Sequence, residues 1–129
     1  MIQKNIFCYR LRVDDIDMIT KASQKYESIE IKTILSFDDL MDGQASCGGL
    51  CLFIEEQTDL NSFESILKNF SHLPISVILK YKDFDFLMLC LKYKVANVFE
   101  GKLNEKFLEN YLIHVDLSSR KETTNLPVN

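Results

Sequence analysis

The sequence lacks the excess of positive charge that domains binding nucleic acid or membrane surfaces usually carry. Its 129 residues include 15 Lys and Arg against 19 Asp and Glu, which gives a net charge of −4. A basic face is the usual electrostatic footprint of binding to DNA, RNA or anionic lipid. The composition therefore argues against direct binding of nucleic acid or membrane by this chain.

Long apolar runs are also missing. A membrane-spanning helix needs about 18 consecutive apolar residues, and no stretch of the sequence approaches that length. The short apolar run near the N-terminus is interrupted by Arg10 and Arg12, which is not the pattern of a signal peptide. We therefore expect a cytoplasmic domain that is neither exported nor inserted into a membrane.

Paired metal-binding residues are scarce. The two histidines, His72 and His114, are far apart in sequence, and Cys47 and Cys51 are followed by no second pair at the spacing that zinc sites use. Most of the cysteines lie in apolar runs, which favours reduced, buried thiols; the four are Cys8, Cys47, Cys51 and Cys90. We expect no metal site and no cofactor.

The residues that are abundant are apolar. They make up 47% of the chain, enough to bury the core of one domain. Runs of strand length, such as Leu50–Ile54, alternate five times with segments of helical periodicity, and Gly48 and Gly49 are predicted to precede the third strand. Continuous apolar strands that alternate with helices are typical of a doubly wound open α/β sheet of five parallel strands, with helices on both faces. We predict one domain over residues 1–117, followed by a polar tail or linker over 118–129.

Three segments of this α/β pattern, residues 36–40, 73–78 and 95–103, resemble the CheY-like receiver domains of two-component response regulators. Around the fifth strand, Ala96, Phe99 and Lys102 match the receiver pattern Gly-Ala-x-x-Phe/Tyr-x-x-Lys-Pro. The segment 73–78, Leu-Pro-Ile-Ser-Val-Ile, is similar to the start of the fourth receiver strand. The segment 36–40, Ser-Phe-Asp-Asp-Leu, is similar to receivers of the branch that carries LuxR-type DNA-binding domains. The resemblance covers roughly residues 4 to 117 and implies the strand order 2-1-3-4-5.

The resemblance also implies a phosphorylation pocket, and this chain departs from it. Receivers place two acids after the first strand, an acceptor aspartate after the third, a Ser/Thr after the fourth and a Lys after the fifth; the acids hold Mg²⁺. A hard cation needs carboxylate oxygens, and most of the aligned positions offer none. The aligned residues are Arg10 and Leu11, then Ile54 or, with the register moved by one residue, Glu55, then Leu79 and Lys102.

We therefore expect no conventional phosphorylation and no catalysis. An ion pair between Glu55 and Lys102 is a natural replacement that would hold the switch loops in one state. Phe99 stands at the switch aromatic position and is expected to stay buried. The alternative is a phosphoryl-accepting receiver that uses Mg²⁺ and one of Asp14, Asp15 or Asp59. A flavodoxin-like cofactor site is disfavoured, because no Gly-rich phosphate loop follows the first strand.

The fourth helix is apolar on nearly all sides, whereas covering a sheet needs only three or four apolar residues per two turns. Deep packing is one explanation. The other is an interface, since contiguous apolar patches seldom stay exposed on soluble monomers. By resemblance, the fourth helix, fifth strand and fifth helix form a dimer face, which predicts a homodimer or a protein partner in signalling or transcription regulation. The candidate interface residues are Phe84, Phe86, Leu87, Met88, Leu89, Leu91, Tyr93, Phe107 and Tyr111.

Overall fold

Strands and helices alternate along the whole described chain. The structure, a computed structural model, describes residues 4–55, 58–95, 97–101 and 103–124, with only the backbone for 119–124. The strands are β1 (Lys4–Tyr9), β2 (Ile29–Ile34), β3 (Cys47–Ile54), β4 (Ile75–Leu79) and β5 (Asn97–Glu100). The helices are α1 (Val13–Ser23), α2 (Phe37–Asp42), α3 (Leu60–Phe70), α4 (Phe84–Lys92) and α5 (Glu105–Thr124).

The five described strands form one parallel sheet in the order β2-β1-β3-β4-β5. This confirms the doubly wound sheet and its strand order. The chain crosses to one side of β1 to make β2 and to the other side to make β3. The carboxyl ends of β1 and β3 therefore border the crevice in which open α/β sheets bind ligands.

Two apolar layers cover the sheet, which explains why every residue of β3 is buried. On one face, alternate strand residues such as Leu52 and Val77 pack with α2, α3 and α4. On the other face, Cys51 and Phe53 pack with α1 and α5. The sequence of a strand that is buried on both faces is a continuous apolar run, and this pattern is what predicted β3.

The prediction that Gly48 and Gly49 precede the third strand is wrong, because both lie within β3. Close approach of α5 explains the choice of glycine at position 49. A Cβ atom there would lie 2.8 Å from the Tyr111 hydroxyl and 3.1 Å from a Val115 methyl group. Gly49 therefore allows α5 to pack closely against the sheet and does not mark a turn.

Helix boundaries follow side-chain caps. The Ser36 hydroxyl accepts a hydrogen bond from the Asp39 amide, which confirms the predicted start of α2. Asp59 and Asp83 cap α3 and α4 in the same way, and Asn104 accepts from the Lys106 amide at the start of α5.

Helix α5 continues to Thr124, past the predicted domain boundary at residue 117, so the first part of the polar tail is helical. None of the described helices is long and apolar enough to cross a membrane.

The four cysteines are free thiols with buried side chains, as expected. Burial raises the pKa of Cys47 and of Cys90 to about 11 and raises that of Cys51 well above its ordinary value. Since only the thiolate is a strong nucleophile, we predict that iodoacetamide at pH 8 leaves the native protein unmodified within minutes and labels all four thiols in denaturant. Intact-mass spectrometry checks this, and rapid labelling of the native protein would contradict it.

Candidate functional site

The residues at the carboxyl ends of β3 and β4 are apolar and buried. Ile54 pairs in register with Leu79, and both side chains belong to the core beneath α3 and α4. Glu55 follows the strand, is exposed, and its amide donates to the Thr58 hydroxyl. With Ile54 as the last residue of β3, neither strand presents a nucleophile or a hydroxyl at its end.

Arg10 lies at the rim of this crevice. It follows β1 with a φ of 60°, a left-handed conformation that is uncommon outside glycine. Its side chain is exposed and lies over the Tyr9 ring, with 5.4 Å from the guanidinium carbon to the ring centre. Alignment to receivers put Arg10 in the position of a metal-binding acid, and this needs a correction, because another arginine is the cation that pairs with the buried carboxylate at this end of the sheet.

That cation is Arg12, which sequence reasoning missed. Its Nε donates to a carboxylate oxygen of Asp15 at 2.8 Å, and a terminal nitrogen donates to the Gly101 carbonyl oxygen at 2.6 Å. The guanidinium carbon also lies 4.5 Å from the centre of the Phe53 ring. One side chain thus joins the start of α1, the end of β3 and the loop after β5.

The acids of the first turn of α1 separate into two environments. Asp14 is exposed, as expected of a residue that complements a helix dipole. Asp15 is only 3% exposed and its carboxylate pairs with Arg12. An Arg followed three residues later by Asp at a helix start is compatible with such a pair, but the pattern alone does not tell a buried pair from an exposed one.

This arrangement does not fit the Mg²⁺ ion of receiver domains. The ion needs one or two carboxylates with room for water and phosphate oxygens. Here the buried carboxylate of Asp15 is bound to a guanidinium, and the ends of β3 and β4 are apolar. Within the part of the chain that the structure describes, no three His, Cys, Asp or Glu side chains are grouped to hold a metal ion.

Phe99, which aligns with the switch aromatic of receivers, is buried in this structure, as expected; that it stays buried remains a prediction. It contacts the Phe107 ring edge-on, with 6.0 Å between ring centres. Lys102 lies outside the described residues, so the expected ion pair between Glu55 and Lys102 stays a prediction. Ala96, a second match to the receiver pattern, also lies outside them.

Replacing Arg12 with methionine is predicted to lower the free energy of unfolding by about 1–3 kcal/mol, because the buried Asp15 carboxylate loses a charged hydrogen bond. Adding Asp15→Asn should recover part of that loss, and urea denaturation measures both effects. Lys25→Met is the control, since its pair with Glu109 is exposed and should matter much less. Equal effects of Arg12→Met and Lys25→Met would contradict the prediction.

The fourth helix has both a packed side and an exposed side. Phe86 is buried, and Leu87, Leu89 and Tyr93 are half-buried against the core. Tyr111 is fully buried and donates to backbone carbonyl oxygens. Phe86 and Tyr111 are therefore removed from the predicted interface, since their rings are used inside the fold.

Other apolar residues of α4, β5 and α5 are exposed, and we call them together the α4–β5–α5 face. In α4, Phe84 is 74% exposed, Met88 49% and Leu91 72%. Their spacing of four and three residues places them on one side of the helix. Exposed Val98 on the edge strand β5 and Phe107 on α5 complete the face. Sequence reasoning missed Val98, although its alternation with buried Phe99 was available.

No known family's sequence model matches the chain, and no curated protein sequence matches it. Solved structures do. A response regulator receiver protein from Pseudoalteromonas atlantica has a TM-score of 0.71 and 17% identity, covering 89% of this chain and 98% of its own. A CheY-like response regulator protein from Mesorhizobium loti has a TM-score of 0.69 and 11% identity, and the match covers 88% of this chain and 99% of that protein. The RcsB response regulator of Salmonella typhimurium has a TM-score of 0.60 and 12% identity, and the match covers 95% of this chain and 62% of the RcsB chain. At such low identity these likenesses establish the fold.

Proposed function

We propose that this chain is a phosphorylation-independent, receiver-like module that self-associates through the α4–β5–α5 face. Its place would be in a cytoplasmic signalling protein or transcription regulator, in the manner of regulators with LuxR-type DNA-binding domains. The support is the fold it shares with response regulator receivers. The RcsB chain, whose structure is described in terms of DNA interaction, extends beyond the part that is similar to this one.

The observation that carries the proposal is the Arg12 side chain in the crevice. Receiver chemistry needs a cation that is exchangeable and an acceptor carboxylate beside it. Here a covalently attached guanidinium already pairs with the buried carboxylate of Asp15, and β3 ends in a buried isoleucine. A phosphoryl group entering this crevice would find neither a metal ligand set nor a nucleophile at the strand ends.

The observation that supports association is the α4–β5–α5 face. Aromatic and aliphatic side chains of this size rarely stay together in water on a monomer. A second copy of this chain is the occupant we favour, because a two-fold interface brings a surface against itself, and charges of both signs within such a surface allow it to pair with its own copy. The same three elements carry exposed Asp85, Glu100 and Lys106, so such a surface is able to complement itself.

Three measurements test the proposal. Incubation with acetyl phosphate and Mg²⁺, followed by intact-mass spectrometry, should show no phosphoryl adduct, and beryllofluoride with Mg²⁺ should leave the amide NMR spectrum unchanged. A phosphoryl adduct would overturn phosphorylation independence and favour an acceptor among Asp14, Asp15 and Asp59. Light scattering on the unmodified protein should give the mass of a dimer at micromolar concentration, and a monomer at all concentrations would overturn self-association.

A further inference from the structure

A cavity of about 170 Å³ lies at the carboxyl end of the sheet, between the ends of β1 and β3 and helix α3. It shares Phe53 with the Arg12 contacts, but its described lining includes neither Arg12 nor any residue of the α4–β5–α5 face, so a ligand bound there goes beyond the proposed function. The cavity stands where the chain leaves β1 and β3 in opposite directions. In open α/β sheets this is the place where small molecules bind.

The inner wall of the cavity is apolar. The wall is lined by four side chains that are each at most 6% exposed: Leu52, Ile54, Phe63 and Ile66. An apolar cavity of about 150 Å³ is known to admit a benzene ring. The space therefore suits a ring or a branched aliphatic group of similar size.

The rim of the cavity carries one charge of each sign. Arg10 contributes a guanidinium that pairs with no carboxylate among the described residues. Asp59 contributes a carboxylate, of which one oxygen accepts from the Ser62 amide and hydroxyl, leaving the second for another donor. The left-handed backbone of Arg10 is the kind of local strain that is found at ligand-binding sites.

We propose that this cavity binds a small zwitterion with an apolar body, of the class of free apolar amino acids. The apolar group fills the inner wall, the carboxylate faces Arg10 and the ammonium faces the free oxygen of Asp59. A ligand with a single charge leaves the other rim charge without a counterpart and so makes one fewer charged contact. The presence of both charges therefore selects for a zwitterion over a simple acid or amine.

The binding test uses L-phenylalanine and L-leucine, titrated to about 10 mM, because a ligand of so few atoms has a limited attainable affinity. Amide NMR shifts should saturate and be confined to residues around the cavity, such as Ile54 and Ser62. 3-Phenylpropionate and phenethylamine, each with one charge, should bind at least about tenfold more weakly. No saturable shift with either amino acid would overturn the proposal.

Two substitutions separate the roles of the charges. Asp59→Asn keeps the helix cap, since Asn is as good a cap as Asp, but removes the negative charge. It should weaken L-phenylalanine about tenfold and strengthen 3-phenylpropionate, so that the preference inverts. An unchanged preference would show that Asp59 does not bind the ammonium and would overturn the zwitterion assignment.

Arg10→Asn removes the positive charge while keeping a residue that tolerates the left-handed conformation. It should weaken both carboxylate ligands about tenfold or more. Lys94→Asn is a matched control, because Lys94 is a cationic residue with a φ of 56° at the opposite end of the sheet.

Ser62→Leu, which fills the rim of the cavity, should abolish binding without removing a charge. Equal losses from Arg10→Asn and Lys94→Asn, or full binding by Ser62→Leu, would each contradict the site.

Discussion

Gly49→Ala is expected to lower the free energy of unfolding by about 2–3 kcal/mol, a large effect for one methyl group. The added Cβ would lie 2.8 Å from the Tyr111 hydroxyl and 3.1 Å from a Val115 methyl group, both on α5. Either the helix moves away from the sheet or the tyrosine ring moves along it. Chemical denaturation of the two proteins, with midpoint and slope fitted separately, measures the loss.

The Tyr111 hydroxyl explains why the ring cannot move freely. It lies 3.1 Å from the carbonyl oxygens of both Leu50 and Pro74, to which it donates. Burial raises the pKa of Tyr111 well above its ordinary value, which favours the protonated hydroxyl that donates here. A displaced ring would leave these buried contacts unmade.

A double-mutant cycle separates the two contacts of the new methyl group. Tyr111→Phe alone should cost about 1 kcal/mol for the lost hydrogen bonds. In that background Gly49→Ala should cost clearly less than in the parent, because one of its two close contacts has gone. An identical cost in both backgrounds would show that the hydroxyl is not the obstacle and would leave only the contact with Val115.

Leu91→Asp is expected to raise the dissociation constant of the proposed dimer by about 100-fold, the size of a change at an interface hot spot. Leu91 is 72% exposed on the α4–β5–α5 face. A carboxylate there would have to lose water next to its own copy across a two-fold interface. Concentration-dependent light scattering or sedimentation measures the constant directly.

The control for Leu91→Asp is the same exchange at Leu35. That residue is 86% exposed just beyond β2, at the opposite edge of the sheet. Leu35→Asp should leave the association unchanged while altering charge and hydropathy equally. If both variants dissociate the dimer to the same extent, the effect is one of net charge and the face is wrongly assigned. Phe86→Asp is unsuitable, because Phe86 is buried and its loss would disturb folding.

The fold was predictable from the sequence because both faces of the sheet are covered. Strands such as β3 and β4 then consist of continuous apolar residues, and the helices between them keep a helical period. The error at Gly48 and Gly49 arose because local reasoning treats paired glycines as a turn. The role of Gly49 depends on Tyr111 and Val115, more than sixty residues later in the chain, which no local pattern contains.

The candidate site was less predictable, and for a different reason. Alignment to the receiver pattern located the apolar ends of β3 and β4, because those positions are fixed by strand register. It pointed to Arg10 as the cation, whereas the left-handed backbone at Arg10 and the position of α1 bring Arg12 into the crevice. The backbone direction after β1 decides which of the two nearby arginines reaches the buried Asp15 carboxylate, and composition and periodicity carry no information about it.

The complete burial of β3 has a consequence for hydrogen exchange. A strand flanked by β1 and β4 and covered on both faces cannot open without separating the two apolar layers. Its amide protons should therefore exchange with solvent only when the whole domain unfolds, while those of the edge strands β2 and β5 exchange through local fraying. The exchange rate of the Leu52 amide would then report the global stability of this domain under native conditions, with no denaturant and no extrapolation.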